Sequence, residues 1–290
     1  MTNDSLLKNS PKTMEDTKSV VLCLIHNENE SRNKVIRPSL EKLFIVLSMN
    51  FNIQVTEVSY QHQILPHNLT LCIIRDLMYQ VLDHQWCRYR SIKLPTFVYH
   101  IKRLILLLIK YLGNKHNVRE RYQKNSAIET IVTDKHIRGW DFFLQSGCDF
   151  LIMFEDDAVF NEGSFQKIKL SLENAAKVPK DSYLYIDLAG GCSISDLKIS
   201  HLALERKDGI TTYRKPVTNT ACAYILNRTI VEEFKRILIR HPIYRLIGID
   251  WMMNKLLIES QSKHSTFCFH FEPPALNHGS VTGEFVAWER

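Results

Sequence analysis

The feature that most constrains this chain is a short apolar run that ends abruptly in three carboxylates. The run Asp149 to Phe154, DFLIMF, has the pattern of a buried strand, and Glu155, Asp156 and Asp157 follow it directly. Three adjacent carboxylates repel one another unless a cation compensates them, and a divalent metal is the natural compensator. Since ligands bind at the carboxyl ends of strands in open α/β sheets, the pattern predicts a metal site there. The alternative is a solvated acidic turn that caps the next helix.

The first half of the chain alternates between strand and helix patterns. SVVLCLI, from Ser19 to Ile25, predicts a buried strand, and FNIQVTEV from Phe51 alternates like a second one. Pro38 indicates the first turn of a helix between them. A further helix is predicted from Ser126, with Ser126 and Glu129 as a capping box and Gly147 as its stop.

The second half continues the alternation. A helix is predicted from Ser164, a strand at YLYIDLA, a hairpin turn at Asp208-Gly209, a strand at CAYIL from Cys222, and a helix capped by Thr229. Such alternation is typical of a largely parallel sheet with helices on both faces. The fold class predicted is therefore α/β.

Composition indicates one folded domain after a polar tail. The chain has 290 residues, of which 45% are hydrophobic, so it can form a full core. We expect residues 1–18 to be a flexible cytoplasmic tail, because they lack the apolar stretch of a secretory signal, and 19–290 to be the domain. Seven cysteines without C-x-x-C spacing favour reduced core thiols over a zinc cluster or a disulfide framework.

A net charge of +6 favours a polyanionic partner: nucleic acid, an anionic membrane or a diphosphate. Much of this charge lies in a basic helical insertion at about 86–121, whose apolar stretch is too short and too charged to span a bilayer. One helical face there is apolar, which fits peripheral membrane contact through 96–113 or an amphipathic helix packed on the domain. That face comprises Val98, Ile101, Ile105, Leu108 and Leu112.

Several motifs together resemble glycosyltransferase family 25, the lipooligosaccharide and collagen galactosyltransferase group. They are FLIMFEDDAVF, preceded by KHIRGWDFFLQSGCD, then TNTACAYILNRT and IGIDWMMN, and the resemblance covers about 126–254. It implies a GT-A-like sheet and an inverting transfer from a nucleotide diphosphate sugar, with Mn²⁺ or Mg²⁺ as cofactor. Galactose is suggested as the donor sugar by family analogy alone.

The resemblance also implies roles for the acidic residues. Glu155 and Asp157 would hold the metal and the donor diphosphate or ribose, while Asp156 would support their geometry. His278, in the Pro- and Gly-punctuated segment FEPPALNHGSVTG, would complete the metal site. The alternative for His278 is a polar residue on a surface loop.

An inverting displacement needs a general base that removes the proton of the acceptor hydroxyl. Asp250, in IGIDWMMN, is the candidate, and its neighbour Trp251 offers a sugar a stacking surface. Asp250 equally fits an N-cap of the helix that follows it.

Residues after the first strand are candidates for binding the nucleotide. His26 and Asn27 follow that strand directly, at the edge where a doubly wound sheet receives a nucleotide. Arg32 is close enough in sequence to meet phosphate or ribose. A polar loop is the alternative.

Three further residues are candidates for the donor or the acceptor. Lys135 and His136 either contact the diphosphate or form the wet face of their helix. Asp187 ends YLYID and is a second carboxylate at a strand end, which makes it a candidate for acceptor binding.

Two rival functions remain. A metal-dependent nuclease or nucleotidyltransferase also uses clustered carboxylates and a basic surface, but it needs a second acidic cluster. A non-catalytic protein that binds glycans or a membrane surface is the other alternative. We expect a glycan or glycolipid acceptor at the cytoplasmic face of a membrane, as in lipopolysaccharide biosynthesis, and no nucleic-acid partner.

Overall fold

A computed structural model describes most of the chain. The described residues are 17–59, 65–87, 98, 101–102, 105–106, 109, 116–190, 200–207, 209–213, 221–260 and 264–286, with the backbone alone for 80–87 and 116–119. The predicted tail lies almost entirely outside them.

Eight strands form one sheet and two form a small ribbon. The strands are β1 (Ser19–Ile25), β2 (Asn52–Val58), β3 (Phe150–Glu155), β4 (Ala158–Phe160), β5 (Tyr183–Asp187), β6 (Ala203–Lys207), β7 (Ile210–Tyr213), β8 (Ala223–Asn227), β9 (Thr266–Phe271) and β10 (Leu276–His278). The sheet order is β2-β1-β3-β8-β5-β9-β7-β6, and β10 pairs with β4.

The sheet is mixed, which corrects the prediction of a largely parallel one. Strands β2, β1 and β3 run parallel, as do β5 and β9. Strand β8 runs antiparallel between β3 and β5, and β7 and β6 add antiparallel pairs at one edge. The α/β class itself is confirmed.

Helices cover both faces of the sheet, as predicted. They are α1 (Glu30–Ser48), α2 (Leu69–Cys87), α3 (His116–Ser146), α4 (Ser164–Ala175), α5 (Arg228–Arg240), α6 (Ile249–Ser260) and the single turn α7 (Gly279–Thr282). One core lies between the sheet and α3, α5 and α6, and a second core lies under α1 and α4.

Strand β3 supplies side chains to both cores. Leu151 and Met153 point into the first core, while Ile152 and Phe154 point into the second. Because successive side chains of a strand alternate between faces, Glu155 is directed to the side of α3. The apolar run therefore fixes where its terminal carboxylate points.

The long helix α3 begins earlier than the capping box predicted. It starts at His116, so Ser126 lies inside it, and the Ser126 hydroxyl lies 3.0 Å from Nδ1 of His67 instead of capping the helix. The predicted stop at Gly147 is confirmed, since the helix ends one residue before it and Gly147 has a φ of 75°. Only glycine adopts this conformation without strain.

Two other helix starts differ from prediction. Pro38 lies within α1, whose N-cap is Asn29, and α5 is capped by the Asn227 side chain. Thr229, the predicted cap, instead donates its hydroxyl to the Lys180 carbonyl. Asparagine and threonine are both good caps, so the pattern alone does not fix which one is used.

Two smaller predictions are confirmed on the described residues. Strands β6 and β7 form the predicted hairpin around Gly209. The other residue of the predicted turn, Asp208, lies outside the described residues. Five cysteines are buried thiols that form no disulfide, namely Cys23, Cys72, Cys148, Cys222 and Cys268. The Cys87 side chain and Cys192 lie outside the description.

The basic insertion lies mostly outside the described residues. Val98, Ile101 and Ile105 are described, and they are exposed to 50%, 41% and 51%. The other two members of the predicted apolar face, Leu108 and Leu112, lie outside the described residues, so both interpretations of the insertion stay predictions. Within the described ranges, no helix combines the length and apolarity required to cross a membrane.

Candidate functional site

A cavity of about 650 Å³ opens at the edge of the sheet where β1 and β3 end. Strand β1 lies between β2 and β3, so the chain leaves β1 towards one neighbour and later returns to the other. In open α/β sheets this switch point is where ligands bind. Residues following β1 and β3 form one wall of the cavity, and α2, α3 and α6 contribute another.

Glu155 and Asp156 are each held by a different set of protein groups. Oε1 of Glu155 lies 2.8 Å from Nε2 of His136. Asp156 accepts hydrogen bonds from the Arg32 guanidinium at 2.7 Å and from the backbone N–H of Asn27 at 3.1 Å. Asp156 thereby joins the loop after β1 to the end of β3.

Asp157 is the centre of a different cluster. Its Oδ2 lies 3.1 Å from Nε2 of His278 and accepts a hydrogen bond from Ser280, while Oδ1 accepts one from the Cys222 thiol at 3.5 Å. Burial raises the pKa of Asp157, but the contacts with His278 and Ser280 and the charge of Arg32 outweigh it and lower the pKa to about 2. The group is a carboxylate at any physiological pH.

Long-range strand pairing brings these partners together. Strand β10 lies beside β4 and delivers His278, and the N–H of Gly279 donates to the Asp157 carbonyl at 2.8 Å. Because β8 runs antiparallel to β3, the residue before β8, Cys222, lies beside the end of β3. There the N–H of Glu155 donates to the Cys222 carbonyl at 2.8 Å. Cys222 was not among the predicted site residues.

The donor atoms around Asp157 suit a divalent metal ion. Ligand atoms of Asp157, Cys222 and His278 lie within 4.8 Å of one another, which is the one such group of three in the described part of the chain. Nδ1 of His278 is buried and has no hydrogen-bond partner within the described part of the chain. The predicted ligand set was Glu155, Asp157 and His278, so the geometry groups two of these and adds a thiol.

A buried lysine holds the loop after β1. Lys135 donates to the His26 carbonyl at 2.8 Å and to the Asn27 side chain, and all three residues line the cavity. Burial lowers the pKa of Lys135, although the charge of Asp156 opposes this shift. Lys135 and His136 are both fully buried, so the alternative that they form the wet face of α3 is wrong.

Asp250 lies in the same cavity, in the first turn of α6. Its carboxylate accepts a hydrogen bond from the N–H of Ala221 at 2.5 Å. The alternative N-cap role is wrong, because Asp250 is the second residue of the helix. Burial, assisted by the negative charge of Glu155, raises the pKa of Asp250 to about 7. A carboxyl with this pKa can exchange a proton at neutral pH.

Of the wall opposite the carboxylates, Trp251 alone was named from the sequence as a ligand contact. The Tyr79 hydroxyl donates to Glu129 at 2.9 Å and accepts from the N–H of Gly248 at 2.6 Å. The rings of Tyr79 and Trp251 pack edge to face, with their centroids 5.8 Å apart. Arg75 is ion-paired with Glu129, and its buried Nε has no hydrogen-bond partner among the described residues. A sequence signal for this wall was the i, i+4 spacing of Arg75 and Tyr79 in α2.

Asp187 lies beneath the cavity and does not line it. Its carboxylate is 3.4 Å from Nδ1 of His270 and accepts hydrogen bonds from Tyr185 and the N–H of Ala189. Burial lowers the pKa of His270, but Cys268 and Asp187 outweigh it and raise the pKa to about 10. The pair is therefore a buried ion pair, and the structure does not bring Asp187 to the surface where an acceptor would bind.

Comparison with known proteins leaves the family open. No protein-family model matches the chain, and no curated protein sequence matches it significantly. The resemblance to glycosyltransferase family 25 remains a prediction from the motifs, and function is inferred from the geometry and chemistry of the site.

Proposed function

We propose that this protein is a metal-dependent inverting glycosyltransferase, a divergent GT-A-like relative of family 25. It would move a hexose, galactose by analogy, from a nucleotide diphosphate sugar to a hydroxyl of a glycan or glycolipid. The supporting observation is that one cavity holds both the clustered carboxylates and Asp250, a half-buried acid with a pKa of about 7. These are the two kinds of group that such a transfer needs.

The donor would bind where β1 and β3 end. Arg32 and Lys135 line this wall and supply positive charge to a diphosphate. Asp157 and His278 would hold the divalent ion, which when bound neutralises charge on the leaving diphosphate. Asp156 keeps Arg32 in place through its hydrogen bond of 2.7 Å.

In the chemical step, Asp250 accepts the proton of the acceptor hydroxyl as the oxygen attacks the anomeric carbon. The bond between that carbon and the diphosphate oxygen breaks, and its electron pair leaves with the diphosphate. Arg32 and Lys135 stabilise the charge that develops there. Attack from the side opposite the leaving group inverts the anomeric configuration.

The acceptor would bind along the opposite wall. Trp251 is partly exposed, follows Asp250 directly, and offers an aromatic surface on which a sugar ring can pack. Tyr79, Glu129 and Arg75 fix the position of this wall by their mutual hydrogen bonds and ion pair. A sugar on Trp251 would present its hydroxyl close to the base.

The geometry favours a transferase over the nuclease alternative. A two-metal phosphoryl-transfer site places two ions about 3.5–4 Å apart between several carboxylates. In the described residues the one three-ligand group contains a single carboxylate, that of Asp157.

The test is binding and turnover of a panel of nucleotide diphosphate sugars with and without Mn²⁺, on wild type, Asp157→Asn and Asp181→Asn. Asp181 is exposed and outside the cavity, so it is the matched control. We expect one donor to bind and hydrolyse only with metal, in wild type and the control but not in Asp157→Asn. Because the lowered pKa of Asp157 contributes stability at neutral pH, its variant should melt earlier, and circular dichroism below the melting temperature checks that it is folded. No response to any donor, or metal-dependent cleavage of nucleic acid instead, would refute the proposal.

A further inference from the structure

The thiol of Cys222 is one of the three ligand groups of the candidate metal site. Its Sγ is 3.5 Å from Oδ1 of Asp157, and it lies with the Asp157 and His278 donor atoms inside a group no more than 4.8 Å across. Cys222 is about 1% exposed and lines the cavity. The three donors come from three different strand ends, so their convergence is a property of the fold and not of one local motif.

We propose that Cys222 is the third protein ligand of this site and that it makes the site prefer a thiophilic divalent ion, such as Co²⁺ or Zn²⁺, over Mg²⁺. The inference rests on the proposed function, because it assumes that Asp157 and His278 hold the ion used with the donor. It adds the identity of one ligand and the class of metal.

The three side chains lie close enough for one ion to bridge them after a small movement. Metal bonds of about 2.0–2.3 Å to nitrogen, oxygen and sulfur place tetrahedral ligand atoms roughly 3.3–3.8 Å apart. Asp157 contacts Cys222 through Oδ1, at 3.5 Å from Sγ, and contacts His278 through Oδ2, at 3.1 Å from Nε2. A single ion would take one ligand atom from each residue, and such atoms already lie within 4.8 Å of one another. All three residues line the cavity, so a phosphate of the sugar donor or a water would be able to complete the coordination.

The chemistry of the protein ligand atoms determines which metals the site prefers. Mg²⁺ prefers an octahedron of oxygen ligands, and a thiol and an imidazole are poor substitutes for these. Thiolate and imidazole favour Zn²⁺ and Co²⁺, which also stand above Mn²⁺ in intrinsic affinity for such donors. The thiol donates a hydrogen bond to the Asp157 carboxylate at 3.5 Å. An ion bound by the thiolate would lie between the same two side chains, and the thiol proton would be released to solvent.

Cobalt titration of the full chain tests the proposal without requiring activity. We expect Co²⁺ to produce a thiolate-to-cobalt charge-transfer band in the near ultraviolet in wild type. Cys222→Ser should lose the band and bind Co²⁺ at least about tenfold more weakly, since even partners outside the ligand set cost 10–100-fold in affinity. Cys148→Ala removes another buried thiol, away from the cavity, and should behave as wild type.

Each outcome separates the two proposals. Co²⁺ binding without the band in wild type, or equal affinity in Cys222→Ser, would overturn the role of Cys222 and leave the metal-dependent transferase standing. Absence of Co²⁺, Mn²⁺ and Mg²⁺ binding by calorimetry, with and without a nucleoside diphosphate, would overturn both. If Cys222→Ser does not fold, loss of the wild-type band in His278→Ala serves as the second test of a shared site.

Discussion

At the residue scale, the role of Asp250 can be tested by its pH dependence. Because the base must be deprotonated and its pKa is about 7, transfer should fall as the pH drops below 7. Asp250→Asn keeps an acceptor for the N–H of Ala221 but cannot take up the proton, so kcat should fall by about 10²–10⁴-fold. Rates of both proteins between pH 5 and 9 check this; a variant with wild-type turnover would exclude Asp250 as the base.

The same substitution should stabilise the fold. The pKa of Asp250 rises from 3.8 to about 7 on folding, so its ionisation is unfavourable in the native state. The penalty is absent below pH 4, grows between pH 4 and 7 and is full above 7, at about 1.4 kcal/mol per pKa unit. Asp250→Asn should therefore be more stable by a few kcal/mol at pH 8 and by little at pH 4.

Urea unfolding of wild type, Asp250→Asn and Asp181→Asn at both pH values measures this difference. Asp181 is exposed, so its variant should match wild type throughout. A stability gain that does not depend on pH would show that the buried charge is not its source. Sites that trade stability for chemistry in this way are typical of active sites.

The buried pair of Asp187 and His270 should be a stability element with no part in transfer. Its members lie 3.4 Å apart and are each about 2% exposed. Removing one partner of a buried ion pair typically costs about 3–5 kcal/mol, because the other charge is left uncompensated. We expect His270→Ala to lower the free energy of unfolding by this amount at pH 7.

The double variant Asp187→Asn/His270→Gln should recover part of the loss, because it removes both charges. Denaturant unfolding of Asp187→Asn, His270→Gln and the double variant completes the cycle. Purely additive losses would contradict the ion pair. Donor binding by the double variant should equal that of wild type, since neither side chain lines the cavity.

At the element scale, the short helix α7 positions His278, one of the three proposed metal ligands. A Cβ on Gly279 would lie 2.5 Å from the Phe285 ring and 3.0 Å from the Asp157 carbonyl, so Gly279→Ala must shift this turn. His278 and Ser280 flank that position and would move with it. We expect metal affinity to fall by about tenfold or more, which is about 1.4 kcal/mol, with a smaller loss of global stability.

Thr282→Ala, on the same turn and exposed, is the matched control and should bind metal as wild type does. Calorimetric titration with Mn²⁺ or Co²⁺, together with the melting temperature, separates local displacement from unfolding. Unchanged metal affinity in Gly279→Ala would mean that α7 does not set the ligand geometry.

Much of the site was predictable because strand ends are predictable. The apolar run of β3 required a buried strand, and the period of two then fixed where Glu155 points. The direction of β8 was not predictable, because an apolar run has the same pattern in either orientation. Cys222 was missed for this reason: only an antiparallel β8 brings its first residues to the end of β3.

At the scale of the whole molecule, the basic insertion and the cavity are connected through the chain. Helices α2 and α3 flank the insertion in sequence, and both contribute side chains to the acceptor wall, among them Tyr79 and Glu129. The described apolar residues Val98, Ile101 and Ile105 are exposed. We propose that an anionic membrane surface bound by this segment would hold a glycolipid acceptor on the stretch of chain that joins α2 to α3.

This arrangement predicts binding to vesicles that contain anionic lipid and little binding to zwitterionic vesicles, with the affinity falling as salt rises. Val98→Ser, Ile101→Ser and Ile105→Ser together should weaken it at least about tenfold, because each removes an apolar side chain that inserts at the interface. The control replaces Val55 and Ile239, exposed to 57% and 77% on β2 and α5, by serine. Co-sedimentation with vesicles measures the binding of both variants.

If the triple variant binds as wild type does, charge alone accounts for attachment. If the control loses as much binding as the triple variant, attachment is not specific to the insertion. If the triple variant loses vesicle binding but keeps metal-dependent donor hydrolysis, the membrane contact serves the acceptor side of the reaction and the carboxylate cluster serves the donor side independently.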